Sequence, residues 1–225
     1  SLPVINSWVI FLIVSIGFSG IYRILARDFI SNINKRPNPA LPNIAIYGGS
    51  FNPPHFGHVY GVATALETAG VDQVWLMPCH THAFAKSMAP FADRVTMCRA
   101  MLSIFDSSRV DVTSIESELA GPNRTIDTLN TLQEKHPEHQ FRLVIGTDIF
   151  LPKDDWKDFD RLETMYPLIV LGRHGYPSPP GIESSPPLPN VSSSEIRTCL
   201  QQAQSIDSMV PASVITIIEQ EGLYP

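Results

Sequence analysis

Two histidines three residues apart, His55 and His58, follow a loop rich in glycine and proline in the stretch IAIYGGSFNPPHFGHVYG, Ile44 to Gly61. At that spacing both imidazoles lie on one face of a first helical turn, beside the free N–H groups and the positive end of the helix dipole. Such a place suits an anion, and phosphate above all. Gly48 and Gly49 let the backbone turn tightly and approach a ligand, and Ser50, Phe51 and Gly57 complete the loop and the helix start. For either histidine alone, a polar loop residue in a plain strand–turn–helix is the competing reading.

A second group of the same kind lies far along the chain, in Val191-Ser192-Ser193-Ser194-Glu195-Ile196-Arg197. Three hydroxyls at a helix start can surround phosphate oxygens, and Arg197 lies four residues after Ser193 on the same face. Ser192 with Glu195 three residues later equally forms a capping box that needs no ligand. Between the two groups lie His80, His82 and Lys86 in a loop, Arg124 and Thr125 at a helix start, Asp148 after Ile145-Gly146-Thr147, and Trp156. Solvated loop side chains, a helix cap and a core tryptophan are the ordinary roles of those types.

Elements of alternating kind must position these residues. Strands are predicted at 44–47, 73–77, 109–113, 141–145 and 168–171, and helices at 57–69, 91–105 and 125–135. The alternation argues for an α/β fold, a Rossmann-like parallel sheet with helices on both faces and ligands at the carboxyl ends of its strands. Residues 176–190 hold six prolines and read as a meandering connection. A C-terminal helical region follows, with apolar spacing over 194–203 and 211–221.

The string His55-Phe-Gly-His58 resembles the HxGH signature of a nucleotidyltransferase superfamily, and Val191 to Arg197 resembles its ISSTxIR signature, with Val for Ile and Ser for Thr. Gly121-Pro-Asn-Arg-Thr-Ile-Asp-Thr-Leu129 resembles the GxSYTxDTL segment of the nicotinate mononucleotide adenylyltransferase branch, with Arg124 in place of Tyr. The resemblance covers residues 43–225 and implies transfer of AMP from ATP to nicotinate mononucleotide, giving nicotinate adenine dinucleotide and pyrophosphate in NAD biosynthesis.

It further implies roles for single residues. His55 and His58 would act at the α-phosphate and the reacting phosphates. Ser192, Ser193, Ser194 and Arg197 would hold the β- and γ-phosphates, with Lys86 in support. Gly48, Gly49, Ser50, Phe51, Gly57 and Gly146 would shape the ATP cleft, and Asp148 would face the ribose or the water shell of Mg²⁺. His82, Arg124, Thr125 and Trp156 would meet the acceptor. Mg²⁺ would be bound mainly through ATP oxygens and water, which agrees with the lack of a ligand cluster, and no protein metal ligand is expected. The alternatives are transfer to nicotinamide mononucleotide or another phosphorylated acceptor such as phosphopantetheine, and a membrane-tethered nucleotide sensor.

Composition narrows the setting. The 225 residues are 44% hydrophobic with a net charge of −6 and no basic run, which argues against nucleic acid as partner. Cys79, Cys98 and Cys199 are odd in number and show no paired spacing, so a reducing cytoplasm is expected, with neither a disulfide framework nor a zinc site. The domain organisation reads as a hydrophobic segment at 1–30, a linker at 31–42 and a nucleotidyltransferase domain at 43–225. Residues 1–22 carry no charge and as a helix would span roughly 33 Å, with Arg23, Arg27, Lys35 and Arg36 after them. An anchor that leaves the domain in the cytoplasm, a helix packed on the protein or a partner, and upstream sequence foreign to the native product all fit. The anchor predicts that the full chain sediments with membranes while a chain beginning at Asn43 stays in the supernatant and keeps its fold. Detergent-independent solubility of the full chain would overturn it.

Overall fold

The computed structural model describes residues 41–80, 88–119, 124–151 and 156–225. Residues 1–30, most of the linker, His82, Lys86 and Gly121 to Asn123 lie outside the described residues. Among the described residues, no helix is long and apolar enough to cross a membrane.

Five strands form one parallel sheet: β1 (Asn43–Gly49), β2 (Gln73–Pro78), β3 (Val110–Val112), β4 (Gln140–Gly146) and β5 (Leu168–Leu171), in the order β3-β2-β1-β4-β5. The helices are α1 (Phe56–Leu66), α2 (Phe91–Leu102), α3 (Thr125–Lys135), α4 (Phe159–Met165), α5 (Ser193–Gln201) and α6 (Ala212–Gln220). Alternation of side chains along a strand explains why both sheet faces are apolar. In β1, Ala45 and Tyr47 join a core with Val62 of α1, Met97 and Met101 of α2, Ile196 of α5 and Val214 of α6. Ile44 and Ile46 point the other way, to Ile126, Leu129 and Leu132 of α3 and Phe159 and Leu162 of α4. The expected doubly covered parallel sheet is therefore the observed one.

The chain moves outward from β1 through β2 to β3, then returns to the other side of β1 for β4 and β5. The carboxyl ends of β1 and β4, at Gly49 and Gly146, thus flank the switch point where such sheets open a crevice. Two expectations need correction. The α4 crossover was not anticipated, because it is only seven residues long and its N-cap, Asp158, lies in the left-handed region (φ 52°) and makes no side-chain cap hydrogen bond. Helix α1 stops at Leu66, short of Ala69, and helix α2 at Leu102, short of Phe105.

The proline-rich connection does not wander. It lies along the end of β5: Ser185 N–H donates to the Val170 carbonyl (3.0 Å), Leu188 N–H to the Gly172 carbonyl (3.0 Å), and Leu188 is buried. The approach requires glycine at 172, where a Cβ would run into the Ser185 carbonyl and come within 2.9 Å of Pro186 backbone. Gly172→Ala is expected to lower unfolding stability by about 1–3 kcal/mol, as overpacking does, with the loss read from urea denaturation. Wild-type stability in this variant would refute the close docking.

Candidate active site

A cleft of about 500 Å³ opens at the switch point, lined by Gly48 and Gly49 at the end of β1 with Ser50 after them, by Gly146 at the end of β4 with Asp148 after it, and by His55 and His58. Thr125 at the start of α3, Trp156, and Ser192 and Ser193 at the start of α5 complete the lining. Two strand ends and three helix starts therefore converge on one space.

The histidine pair is held by the helix it begins. His55 is the N-cap of α1 and His58 its third residue, and His58 Nδ1 accepts the His55 backbone N–H (3.2 Å). With Nδ1 accepting, the neutral His58 ring carries its proton on Nε2. The two rings lie face to face, with centroids 3.8 Å apart and planes inclined by 35°. Gly57 makes this possible, because a Cβ there would sit 2.9 Å from His55 Cε1. Phe51 lies beneath the pair with its ring 4.8 Å from that of His58, fully buried and in the left-handed region at φ 47°. Its side chain packs behind the cleft and does not line it.

Burial, with the Arg173 charge as a smaller cause, pushes the His55 pKa down to about 4. Burial, then His55, then Arg173 hold His58 well below its ordinary value. Both rings are thus neutral at pH 7 before any ligand enters. Among the described residues lining the cleft, Arg173 is the one permanent cation, and its Nε lies 3.4 Å from Asp148 Oδ1. Sequence reasoning passed over Arg173, although it stands two residues beyond β5 at the ligand-bearing end of the sheet. Tyr47, raised to about 12 by burial, packs where a side chain on Gly61 would stand.

The serine-rich helix start does two things. Ser192 Oγ accepts the Glu195 N–H (3.2 Å), the cap anticipated as an alternative, while Ser192 and Ser193 also line the cleft. Ser193 Oγ donates to the Pro53 carbonyl (2.8 Å). Arg197 donates to the Asn52 carbonyl (2.7 Å) and to Ser194 Oγ (3.1 Å), so it clamps the loop before α1 instead of lining the cleft. Asn52 Oδ1 in turn accepts from Ala89 N–H (3.0 Å) and from the Tyr224 hydroxyl (2.8 Å). Arg94, almost wholly buried, donates to the carbonyls of Ser50 (2.8 Å) and Ala89 (3.0 Å). Its signal was present but unread: Arg94 shares one helix stripe with Met97, Cys98 and Met101. Arg124 caps α3 and is exposed, outside the cleft lining, whereas Thr125 and Trp156 face the cleft.

A family profile described as cytidylyltransferase-like matches residues 46–199. A protein of Anaeromyxobacter sp. (strain K) named probable nicotinate-nucleotide adenylyltransferase is 42% identical over 184 residues, covering 80% of this chain and 96% of that protein. The chain belongs to the nicotinate-nucleotide adenylyltransferase family. A Myxococcus xanthus member with the same name is 41% identical over 181 residues, covering 80% of this chain and 94% of its own. The fold matches the Plasmodium falciparum nicotinic acid mononucleotide adenylyltransferase solved in complex with NaAD, with a TM-score of 0.69 and 24% identity over 81% of this chain and 97% of that one. The two families of signatures thus sit on the family's fold, at its switch point.

The neutral histidines make a pH prediction for the ligand-free protein. His55 is protonated in the unfolded chain below about pH 6.5 and in the folded protein only below about 4, so the unfolded state takes up protons first. Stability is expected to fall as pH drops through that window, by about 3 kcal/mol from His55, and less steeply in His55→Gln. Identical pH profiles of thermal unfolding for the two proteins would refute buried neutral His55.

Proposed function

We propose that the protein transfers AMP from ATP to nicotinate mononucleotide, forming nicotinate adenine dinucleotide and releasing pyrophosphate. The observation that carries this is the stacked His55–His58 pair at the start of α1, facing Ser192 and Ser193 at the start of α5 across one cleft. In the reaction an oxygen of the acceptor phosphate bonds to the α-phosphorus of ATP. The bond from that phosphorus to the oxygen bridging to the β-phosphorus breaks, and pyrophosphate leaves with the electron pair. The nucleophile is already ionised at neutral pH, so no general base is needed, and rate comes from alignment and from stabilising charge on the phosphates.

The residues divide this work. His58 donates from Nε2 to the reacting phosphates, and His55 lies against the same group. The free N–H groups at the starts of α1 and α5, with the Ser192 and Ser193 hydroxyls, receive the triphosphate. Lys86 is proposed to add charge at the phosphates, and His82 to meet the acceptor. Arg197 and Ser194 act through the loop they hold, and Gly48, Gly49, Ser50, Phe51, Gly57 and Gly146 give the cleft its shape. A divalent ion, Mg²⁺ in this reading, neutralises phosphate charge when bound. Of the two carboxylates that line the cleft, Asp148 is engaged by Arg173 and Glu116 accepts the His80 N–H, which suits contact through the ion's water shell and not a protein cage.

For the acceptor, the start of α3 at Thr125 and the Trp156 ring border the same cleft. A helix start favours a carboxylate over a neutral carboxamide, which supports the acid as substrate. Arg124 is exposed and adds charge at that helix start from outside. Pyrophosphate release with ATP and each mononucleotide tests the proposal. The acid is expected to give the larger kcat/KM, Trp156→Ala to raise KM for the acceptor more than for ATP, and His58→Ala to lower kcat roughly 10²-fold, the scale for one lost charge-stabilising donor. Near-normal turnover by folded His58→Ala would overturn the site assignment. Equal or amide-favouring kcat/KM would overturn the acceptor assignment.

A further inference from the structure

At the opposite end of the sheet, the turn His136-Pro137-Glu138-His139 joins α3 to β4. It is the width of β4 away from the cleft, about 20 Å for a seven-residue strand. Here His136 Nδ1 lies 3.3 Å from Glu138 Oε1, and His139 Nε2 lies 3.5 Å from the same oxygen. One ligand atom from each of the three side chains falls within 4.8 Å of the others. Bonds of 2.0–2.1 Å to a tetrahedral ion set neighbouring ligands about 3.3 Å apart, so two of the three edges already have the right length.

The turn is rigid before any ion arrives. Gln133 Nε2 donates to the carbonyls of both His136 (3.3 Å) and His139 (2.9 Å), and His139 N–H closes back on the His136 carbonyl (3.1 Å). The edge of each imidazole meets Trp75, with centroids 5.3 and 5.6 Å away, and Phe141 packs against both. His139 Nδ1 is buried without a hydrogen-bond partner, which leaves Nε2, the nitrogen beside Glu138, as its ligand atom. Glu138 is exposed, so an ion can enter from solvent. No motif announced this site, because its three ligands span only four residues and lack cysteine.

We propose that His136, Glu138 and His139 bind one divalent ion of the zinc class, completed by water. Two imidazoles and one carboxylate select Zn²⁺, Co²⁺, Ni²⁺ or Cu²⁺ over Mg²⁺, whose ligands are oxygens. The ion would tie the end of α3 to the start of β4, away from the reaction.

The full chain, stripped of metal by a chelator and free of nucleotide, is titrated with Co²⁺ and followed by visible absorption, then challenged with Zn²⁺ and with Mg²⁺. One equivalent of Co²⁺ is expected to bind, displaced by Zn²⁺ and not by Mg²⁺, while Cu²⁺ quenches part of the tryptophan fluorescence through Trp75. Glu138→Gln and His139→Asn are each expected to weaken Co²⁺ binding ~10-fold or more, at least the cost of losing an outer-shell partner. Because Glu138 is exposed, Glu138→Gln carries the test even where His139→Asn fails to fold. His55→Gln is expected to leave the titration unchanged. Absence of a bound equivalent, unchanged binding in Glu138→Gln, or loss of binding in His55→Gln would each overturn the site.

Discussion

The loop between β1 and α1 carries the histidine pair, and its shape is imposed by donors that reach its backbone carbonyls from elsewhere in the chain. Arg94 of α2 holds the Ser50 carbonyl, Arg197 of α5 holds the Asn52 carbonyl, and Ser193 holds the Pro53 carbonyl. Hydrogen bonds from a charged donor each contribute about 1.5–3 kcal/mol net, more than neutral ones. They offset the cost of keeping Phe51 in the left-handed region, where a bulky residue rarely sits. The same bonds bring the start of α5 against the start of α1, so the two helix starts border one cleft because the loop before α1 is clamped.

This arrangement changes the reading of Arg197. A guanidinium aimed at phosphate and one aimed at a carbonyl look alike in a linear motif. Here both guanidinium contacts are internal, and among the described residues the permanent positive charge on the cleft wall belongs to Arg173. The neutral state of His55 and His58 follows from the same economy of charge, since two buried imidazoles close to Arg173 cannot both carry protons in an empty cleft. A polyphosphate entering the cleft reverses that balance, because each nearby negative charge favours the protonated ring. The site is therefore preorganised in shape and adjustable in charge.

The C-terminus belongs to the same framework. The Tyr224 hydroxyl reaches Asn52, and burial pushes its pKa up, so it stays a donor at any ordinary pH. Asn52 thereby connects the loop to Ala89 ahead of α2 and to the end of the chain. One hydrogen bond thus joins residues separated by 172 positions in sequence.

The strand and helix order, the parallel sheet and the two strings that border the cleft stood out in the sequence, because each rests on local rules. Alternating apolar runs set the faces of β1 and β4, and the spacing of His55 and His58 set a shared helical face. Residues whose role depends on a distant partner were not legible. Arg94 and Arg173 bear no motif, and their importance comes from the carbonyls and rings that packing brings to them. Helix α4, at seven residues, is too short to show an apolar period, and the proline-rich segment showed its composition but not the strand end it would lie along. Ser192 illustrates both levels at once: its cap follows from Glu195 three residues on, while its place on the cleft wall is set by Ser193 and Arg197 gripping a loop 140 residues away. Sequence determines what a segment can do within a few residues of itself, and tertiary packing decides which of those capacities face one another.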